Sequence, residues 1–464
     1  MKRETIEIAR DITDRGVVMT RRLSCDTLTP TSAFDALVGH GQGFLLESIP
    51  GEYSFLGRFT DKGIVCANGD DPDPWAEIPP TDAGLTFECS DLPPFIGGYI
   101  GYLGYDMVRG IENLPSGDRP AIFPDALLGR VDTFVVFDHS HQRITLVHTI
   151  IGRGISRNDA IKRAGDAFKP IEDAFGRFSG MAEPAEPSGC HVRSVSIDDT
   201  AFKDAVMKTK TYIREGDIIQ AVLSRCMELD TDALPFDTYR RLRRINPSPY
   251  LFFIRIKDVT LIGSSPEVMV KLKGQTITSL PIAGTRPRGR DEAEDNALSR
   301  DLLGDEKERA EHLMLLDLAR NDVGRVSEPG TVQVVSREQV HFYSHVMHIV
   351  SRVEGKKRPD LGGMDVIEAC FPAGTVSGAP KVRAMEIIDE IEDVRRGPYA
   401  GGVGYLSYNG NVDTGIAIRT IFMKGERTFV QAGAGIVQDS IPEHEMTEID
   451  NKLKALSLSL GGIS

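Results

Sequence analysis

The chain has 464 residues, 41% hydrophobic and 26% charged, which is enough apolar material for a large core and more length than one ordinary domain. Its formal net charge of -14, from 54 basic and 68 acidic side chains, repels nucleic-acid phosphates and anionic lipid surfaces, so neither nucleic acid nor a membrane is an expected partner. A small anionic ligand has to be gripped by local Arg, Lys, metal or backbone N–H groups against that field.

The first residues, MKRETIEIARDITDRG, alternate charged and apolar side chains and lack the continuous apolar run of a signal peptide or membrane span, so a cytoplasmic protein is expected. From Phe44 to Ile151 the runs SFLGRF, GIVCA, TFVVFDH and RITLVHTI, broken by a Pro-rich stretch around Asp70 to Pro80, predict a β-rich half. GMAEPAEPSG, residues 180–189, has the composition of a solvated connection. It divides the chain into an N-terminal β-rich domain, 1–185, and a second domain, 190–464. Beyond it DDTAFKDAVMKTKTYIREG reads as an amphipathic helix, and DVTLIGSSPEVMVKLKGQTITSLPIAGT as successive strands with glycine turns. The six cysteines (Cys25, Cys66, Cys89, Cys190, Cys226 and Cys370) are scattered, with no CxxC pair and no His at metal-ligand spacing. They read as reduced structural thiols.

Three features stand out in the second half. DEKERAEHLMLLDLARNDVGR, from Asp305, predicts a helix with Glu308 and Glu311 on one face, and PEHEMTEIDNKLKAL repeats the spacing with Glu445 and Glu448, followed by Lys452. Either pair alone reads as a solvated helix face; shared between two helices, they suit Mg2+ and its few hard oxygen ligands. Five Gly-rich segments (GSSPE, PIAGTRPRG, FPAGTVSGAPK, GPYAGGVGY and QAGAGI) read as turns that bring backbone N–H groups close to an anion, though none fits a dinucleotide or P-loop fingerprint. His348, in HVMHIVSRVEG, falls on a predicted strand, either as a packing residue or as a fixed imidazole.

These segments in this order, together with LLESIPGEYSF, GDIIQAVLSR, NPSPYLFF, EHLMLLDLARND, GIAIRT and GAGIVQDSIPEHE, resemble the chorismate-utilising enzyme family from about Phe44 to Leu456. The resemblance implies an α+β fold of packed, mainly antiparallel sheets with surrounding helices, and an active site between the sheets. It places Mg2+ on Glu311 and Glu448, backed by Glu308 and Glu445. Chorismate falls on Gly284, Thr285, Thr375, Tyr399, Arg419, Lys452 and the backbone of Gly433, Ala434 and Gly435. Glu267 matches the acid that protonates the departing ring hydroxyl, and His348 the base that removes the ring proton.

Within the family, water-adding members carry a Lys where this chain has Gln220, so ammonia is the implied nucleophile and Gln220 joins the catalytic set. Many para-aminating members carry a nucleophilic Lys where Ala283 stands, so the resemblance favours the ortho-aminating, anthranilate-forming branch of tryptophan biosynthesis. The large subunit of a folate-pathway aminodeoxychorismate synthase and a non-catalytic tryptophan-binding module remain the alternatives. LLES and NPSPYLFF resemble a feedback tryptophan pocket of Glu47, Ser48, Pro249, Tyr250 and Leu251, with Phe252, Val403 and Tyr405 nearby; the other reading is an apolar contact with no ligand. No Cys stands in an amidotransferase elbow. The resemblance therefore implies a separate glutamine amidotransferase subunit in a heterotetramer or a single pair, or free ammonia.

Overall fold

In a computed structural model of the protein, residues 2–3, 5–8, 15–24, 27–60, 63–67, 74–79, 92–115, 119, 121–343 and 346–463 are described. Cys25, Cys89 and part of the Pro-rich stretch lie outside them. Two large sheets face each other. The first runs, from one edge, through the strands Gly16–Ser24, Arg143–Ile151, Thr133–Asp138, Tyr53–Gly57, Gly43–Glu47, Tyr250–Ile256, Val259–Ser265, Thr420–Lys424, Arg427–Ile436, Gln220–Thr231 and Cys190–Val195. The second runs through Ile282–Pro287, Val346–Lys356, Thr276–Ser279, Val268–Lys273, Val412–Ile416, Gly402–Ser407, Gly98–Leu103, Ala126–Val131 and Ile64–Ala67. Both draw strands from each side of residues 180–189. Gly43–Glu47 pairs with Tyr250–Ile256, and Gly98–Leu103 with Gly402–Ser407, all antiparallel.

Strand alternation sorts the cores. In Tyr250–Ile256, Phe252 and Ile254 join the core between the sheets with Ile100, Met269 and Val403. Leu251 and Phe253 point the other way, into a core capped by helices, with Phe34, Phe168, Phe202, Tyr239 and Leu453. Those helices include Pro30–Leu37, Arg157–Arg177, Asp199–Glu215, Pro235–Ile245 and Pro442–Ser459. Helix Glu306–Val326 lies against the second sheet and is capped by Asp305, whose side chain accepts from Lys307 N and Glu308 N. The strands and helices expected after residue 198 form. The long helix Arg157–Arg177 is the chief surprise in the half read as β-rich; its apolar positions, such as Ala160, Ala164, Phe168 and Ile171, recur at helical spacing.

Phe253 ties sheet to helices, with ring centroids 5.3 Å from Phe34, 5.2 Å from Phe236 and 6.0 Å from Tyr239. Phe253→Ala is expected to cost about 3–5 kcal/mol and to lower the melting temperature by several degrees, as calorimetry would show, while the protein that stays folded keeps its ligand sites.

Candidate active site

Two of the chain's crossings between the sheets lie side by side, and each carries an expected site residue. Glu267 sits between the strand ending at Ser265 and the one starting at Val268, and its carbonyl accepts from Ile416 N at 3.0 Å. Arg419 sits between Ile416 and Thr420, and its carbonyl accepts from Ser264 N at 3.1 Å. Arg419 holds a left-handed backbone with φ of 51°, a conformation that costs a non-glycine residue stability and collects at functional sites. Its half-buried guanidinium has no ion pair or hydrogen bond among the described residues. It lies near enough to His348, Tyr399 and Glu448 for their charges to be felt.

His348 stands on Val346–Lys356 opposite a bulge in Ile282–Pro287. The register slips between Ala283 and Arg286, so that Gly284 and Thr285 together face it, a device that re-aims groups beside active sites. Gly284 has φ of 67°, and a Cβ there would come within 3.0 Å of Leu302. Nδ1 of His348 lies 2.8 Å from the Gly284 carbonyl and 3.2 Å from Thr285 Oγ1. With its proton donated to that carbonyl, the ring keeps a lone pair on Nε2. Burial lowers the pKa of His348, and the charge of Arg419 lowers it further; the imidazole is neutral at pH 7.

Glu267 is half-buried by area but enclosed by protein at the floor of the cleft, and this desolvation pushes its pKa from 4.5 up to about 7. Thr375 and Lys452 pull the other way. The Thr375 hydroxyl is buried beside the carboxyl without a well-formed hydrogen bond of its own. Tyr343, which sequence reading missed, feels the Glu267 charge and packs edge-on to His348 at 5.5 Å. It links acid and base; nothing in its sequence context marks it.

The two acidic helices converge as expected. Burial raises the pKa of Glu311, and the charges of Glu308 and Glu448 raise it further. Glu445 is raised by burial and then by Glu448. Lys452 Nζ bridges Glu448 Oε1 at 2.5 Å and the Gly433 carbonyl at 2.7 Å. Glu308 also meets Arg286 at 3.4 Å. No three His, Cys, Asp or Glu side chains among the described residues close up a metal cage. Two carboxylates from facing helices nonetheless suit Mg2+, which takes one or two from protein and fills its octahedron with water and substrate oxygens.

Two expectations need correction. Of the segments read as turns, GSSPE and PIAGTRPRG run partly within the strands Val259–Ser265 and Ile282–Pro287, and QAGAGI is no turn: it is the end of the strand Arg427–Ile436, with Gly433 opposite Ser224 and Gly435 opposite Val222. Its glycines make room instead, since a Cβ on Gly433 would stand 2.9 Å from the Tyr399 hydroxyl and one on Gly435 2.3 Å from the Gln220 amide nitrogen. The other neighbour of this strand pairs only as far as Val430, which leaves an open backbone edge at Gly433 and Gly435; alternation turns Ala434 toward Gln220–Thr231. Gln220 itself is buried, with its amide oxygen unpartnered.

The second correction concerns the expected tryptophan pocket. Glu47, Ser48, Pro249, Tyr250 and Leu251 do border one cavity of about 390 Å³ between the sheets, with Phe252, Val403 and Tyr405. Alternation, however, sends the Glu47 and Leu251 side chains to the helical face. There the Glu47 carboxylate accepts from Tyr239 Oη at 2.5 Å and from Arg243 at 2.9 and 3.1 Å. Besides Glu47, the charged residues that line the cavity are Glu52, Asp413, Lys271 and Lys273. Asp413 accepts from Tyr250 Oη at 2.6 Å and bridges Lys271 at 3.2 Å.

The chorismate binding enzyme family matches residues 41–457. The chain belongs to that family. It is 41% identical to the anthranilate synthase component 1 of Acetivibrio thermocellus, covering 95% of this chain and 94% of the relative, and 44% identical to that of Aquifex aeolicus, covering 94% and 92%. It superposes on the crystal structure of anthranilate synthase component I from Streptococcus pneumoniae with a TM-score of 0.75 at 37% identity, over 93% of this chain and 98% of the other. The menaquinone-specific isochorismate synthase MenF of Escherichia coli, 20% identical with a TM-score of 0.72 over 98% and 96% of the two chains, shares the fold. No helix among the described residues is long and apolar enough to cross a membrane.

The raised carboxyl of Glu267 makes its environment a site of stored instability. Above pH 7 the folded protein must hold the buried anion, at a cost on the order of 2 kcal/mol after allowing for residual water; the cost fades as pH falls through 7 toward 4.5. Glu267→Gln is therefore expected to raise the melting temperature by a few degrees at pH 8 and to gain nothing at pH 4, by paired thermal scans.

Proposed function

We propose that the protein is the large subunit of an anthranilate synthase, which converts chorismate and ammonia to anthranilate, pyruvate and water. The observation that carries this reading is the meeting, in one cleft, of the enclosed Glu267 carboxyl and the His348 imidazole, which is fixed by the Gly284 carbonyl at 2.8 Å and packed on Tyr343 at 5.5 Å. Relatives named anthranilate synthase component 1 over nearly the whole chain support it.

Hydroxide is a poor leaving group. Ammonia forms a C–N bond to the ring as the ring C–O bond breaks, and Glu267, whose carboxyl burial pushes up to about 7, gives its proton so that water departs. His348 then takes the proton from the aminated carbon through Nε2, the ring becomes aromatic, and the enolpyruvyl group leaves to become pyruvate. Gln220, where water-adding relatives place a base, offers only an amide oxygen, which suits a nucleophile that needs no deprotonation. Arg419 and the open edge at Gly433 and Gly435 hold one substrate carboxylate, with Thr375, Tyr399, Thr285 and Lys452 around the ring and side chain. Mg2+ held by Glu311 and Glu448 would supply a counter-charge for the other carboxylate.

Ammonia comes from outside the chain. Among the described cysteines, burial pushes Cys226 up to about 12 and raises Cys190 and Cys370, so none of these three is a ready thiolate. A separate glutamine amidotransferase subunit is the proposed source. The cavity of about 390 Å³ is proposed to take tryptophan as feedback inhibitor, its zwitterion facing Glu52, Asp413 and the two lysines, in a cytoplasmic enzyme.

The test is to incubate the purified chain with chorismate, Mg2+ and ammonium and to identify the product by chromatography and fluorescence. Anthranilate and pyruvate in equal amounts are expected, with kcat, referred to free ammonia, falling as pH rises through about 7 and Glu267 loses its proton. 4-Amino-4-deoxychorismate as product would move the chain to the para-aminating branch, and no turnover would remove the enzymatic reading.

A further inference from the structure

Beneath the cleft lies a cation to which the reaction gives no task. Arg396, its side chain 2% exposed, donates from Nε and one terminal nitrogen to the two oxygens of Glu392 at 2.8 and 2.7 Å. The same terminal nitrogen reaches the Val222 carbonyl at 2.7 Å, and the other reaches the Val376 carbonyl at 2.8 Å. The guanidinium lies 4.6 Å from the ring centre of Tyr105 and 5.8 Å from that of Tyr399. Glu392 in turn accepts from Ser224 N at 2.8 Å and Ser224 Oγ at 2.9 Å, and the Gln431 amide donates to that hydroxyl at 2.8 Å.

Three of these partners, Val222, Val376 and Tyr399, are a short step from the cleft. Val222 is two residues from Gln220, on the same edge of its strand, and its N–H donates to the Ser377 carbonyl at 2.8 Å. Val376 follows Thr375. Tyr399 sets the space over Gly433. A planar fork with separated donors can hold two carbonyls and a carboxylate at once, which the point charge of a lysine cannot.

We propose that Arg396, fixed by Glu392, is a positioning residue that sets the spacing between the strand carrying Gln220 and the loop carrying Thr375, and so holds Thr375 against Glu267 and Tyr399 over Gly433. This rests on the aminating reading of the cleft. Glu267 is faced by Thr375, Lys452 and Tyr343. Asp322, paired with Lys381 at 2.8 Å, borders the small cavity behind it. Only the Thr375 contact depends on the clasp.

The test uses Arg396→Lys, which keeps the charge but cannot serve both carbonyls, and Glu392→Gln, which keeps the shape of the pair with a weaker grip. Expected in both are a kcat for anthranilate formation lower by about 100-fold, and a Glu267 titration moved to higher pH because Thr375 no longer steadies the anion. That titration is read by infrared spectroscopy from the carboxyl stretch missing in Glu267→Gln. A titration at the wild-type pH in both variants, or a kcat reduced only in proportion to the folded fraction, overturns the proposal. If Arg396→Lys does not fold, Glu392→Gln decides by the same two readouts. Wild-type protein that leaves chorismate unchanged while the variants still move the titration would remove the aminating reading and leave the clasp standing.

Discussion

Two hydrogen bonds, Ile416 N to the Glu267 carbonyl and Ser264 N to the Arg419 carbonyl, lock together two of the places where the chain passes from one sheet to the other. Neither residue belongs to a ladder, so each is free of strand alternation, and both take their aim from sheets that are themselves rigid. The other groups of the cleft are placed relative to this pair. The second sheet brings His348 with its bulge of Gly284 and Thr285. The ladder between Gln220–Thr231 and Arg427–Ile436 brings Gln220 and the open edge at Gly433, and the helix that follows brings Glu448 and Lys452. Residues distant in sequence thus meet through backbone pairing, which leaves their side chains available for chemistry.

Electrostatics at this junction runs against the protein's net charge. An acidic chain that grips a dianion must concentrate cations and withhold partners from them, and Arg419, whose guanidinium is unpaired among the described residues, is one such cation. Burial raises the pKa of Glu311 and of Glu445, and the charge of Glu448 raises both further, a repulsion that a bound divalent ion would relieve and that Lys452 relieves in part. Glu267 uses the opposite device. Enclosed, with burial outweighing the opposing pull of Thr375 and Lys452, it keeps its proton up to about pH 7, which an acid catalyst needs and a salt-bridged carboxylate cannot do.

Much of this was legible in the residues, and what was not has identifiable causes. The paired spacing Glu308/Glu311 and Glu445/Glu448 marked two helical faces, but only the fold sets those helices opposite each other. Alternation marked the strand of His348. The glycines of QAGAGI misled because glycine serves turns and close approach alike, and the sequence does not tell which neighbour crowds it. Glu47 beside Ser48 suggested a carboxylate in the tryptophan cavity, whereas the period of two that governs any strand turns Glu47 toward Arg243; applying that period to NPSPYLFF would have set Leu251 on the same far side as Phe253. Asp413, Tyr343, Arg396 and Glu392 carried no local signal, since their partners lie across sheets and loops.

The division of labour between Glu267 and His348 is the centre of the account, and rapid-quench analysis of His348→Gln with chorismate, ammonium and Mg2+ tests it most directly. The account predicts that an aminated, still non-aromatic adduct bearing its enolpyruvyl group accumulates, because Glu267 still expels water while no base takes the ring proton. Anthranilate formed at the wild-type rate, or chorismate left untouched with no adduct, would contradict it.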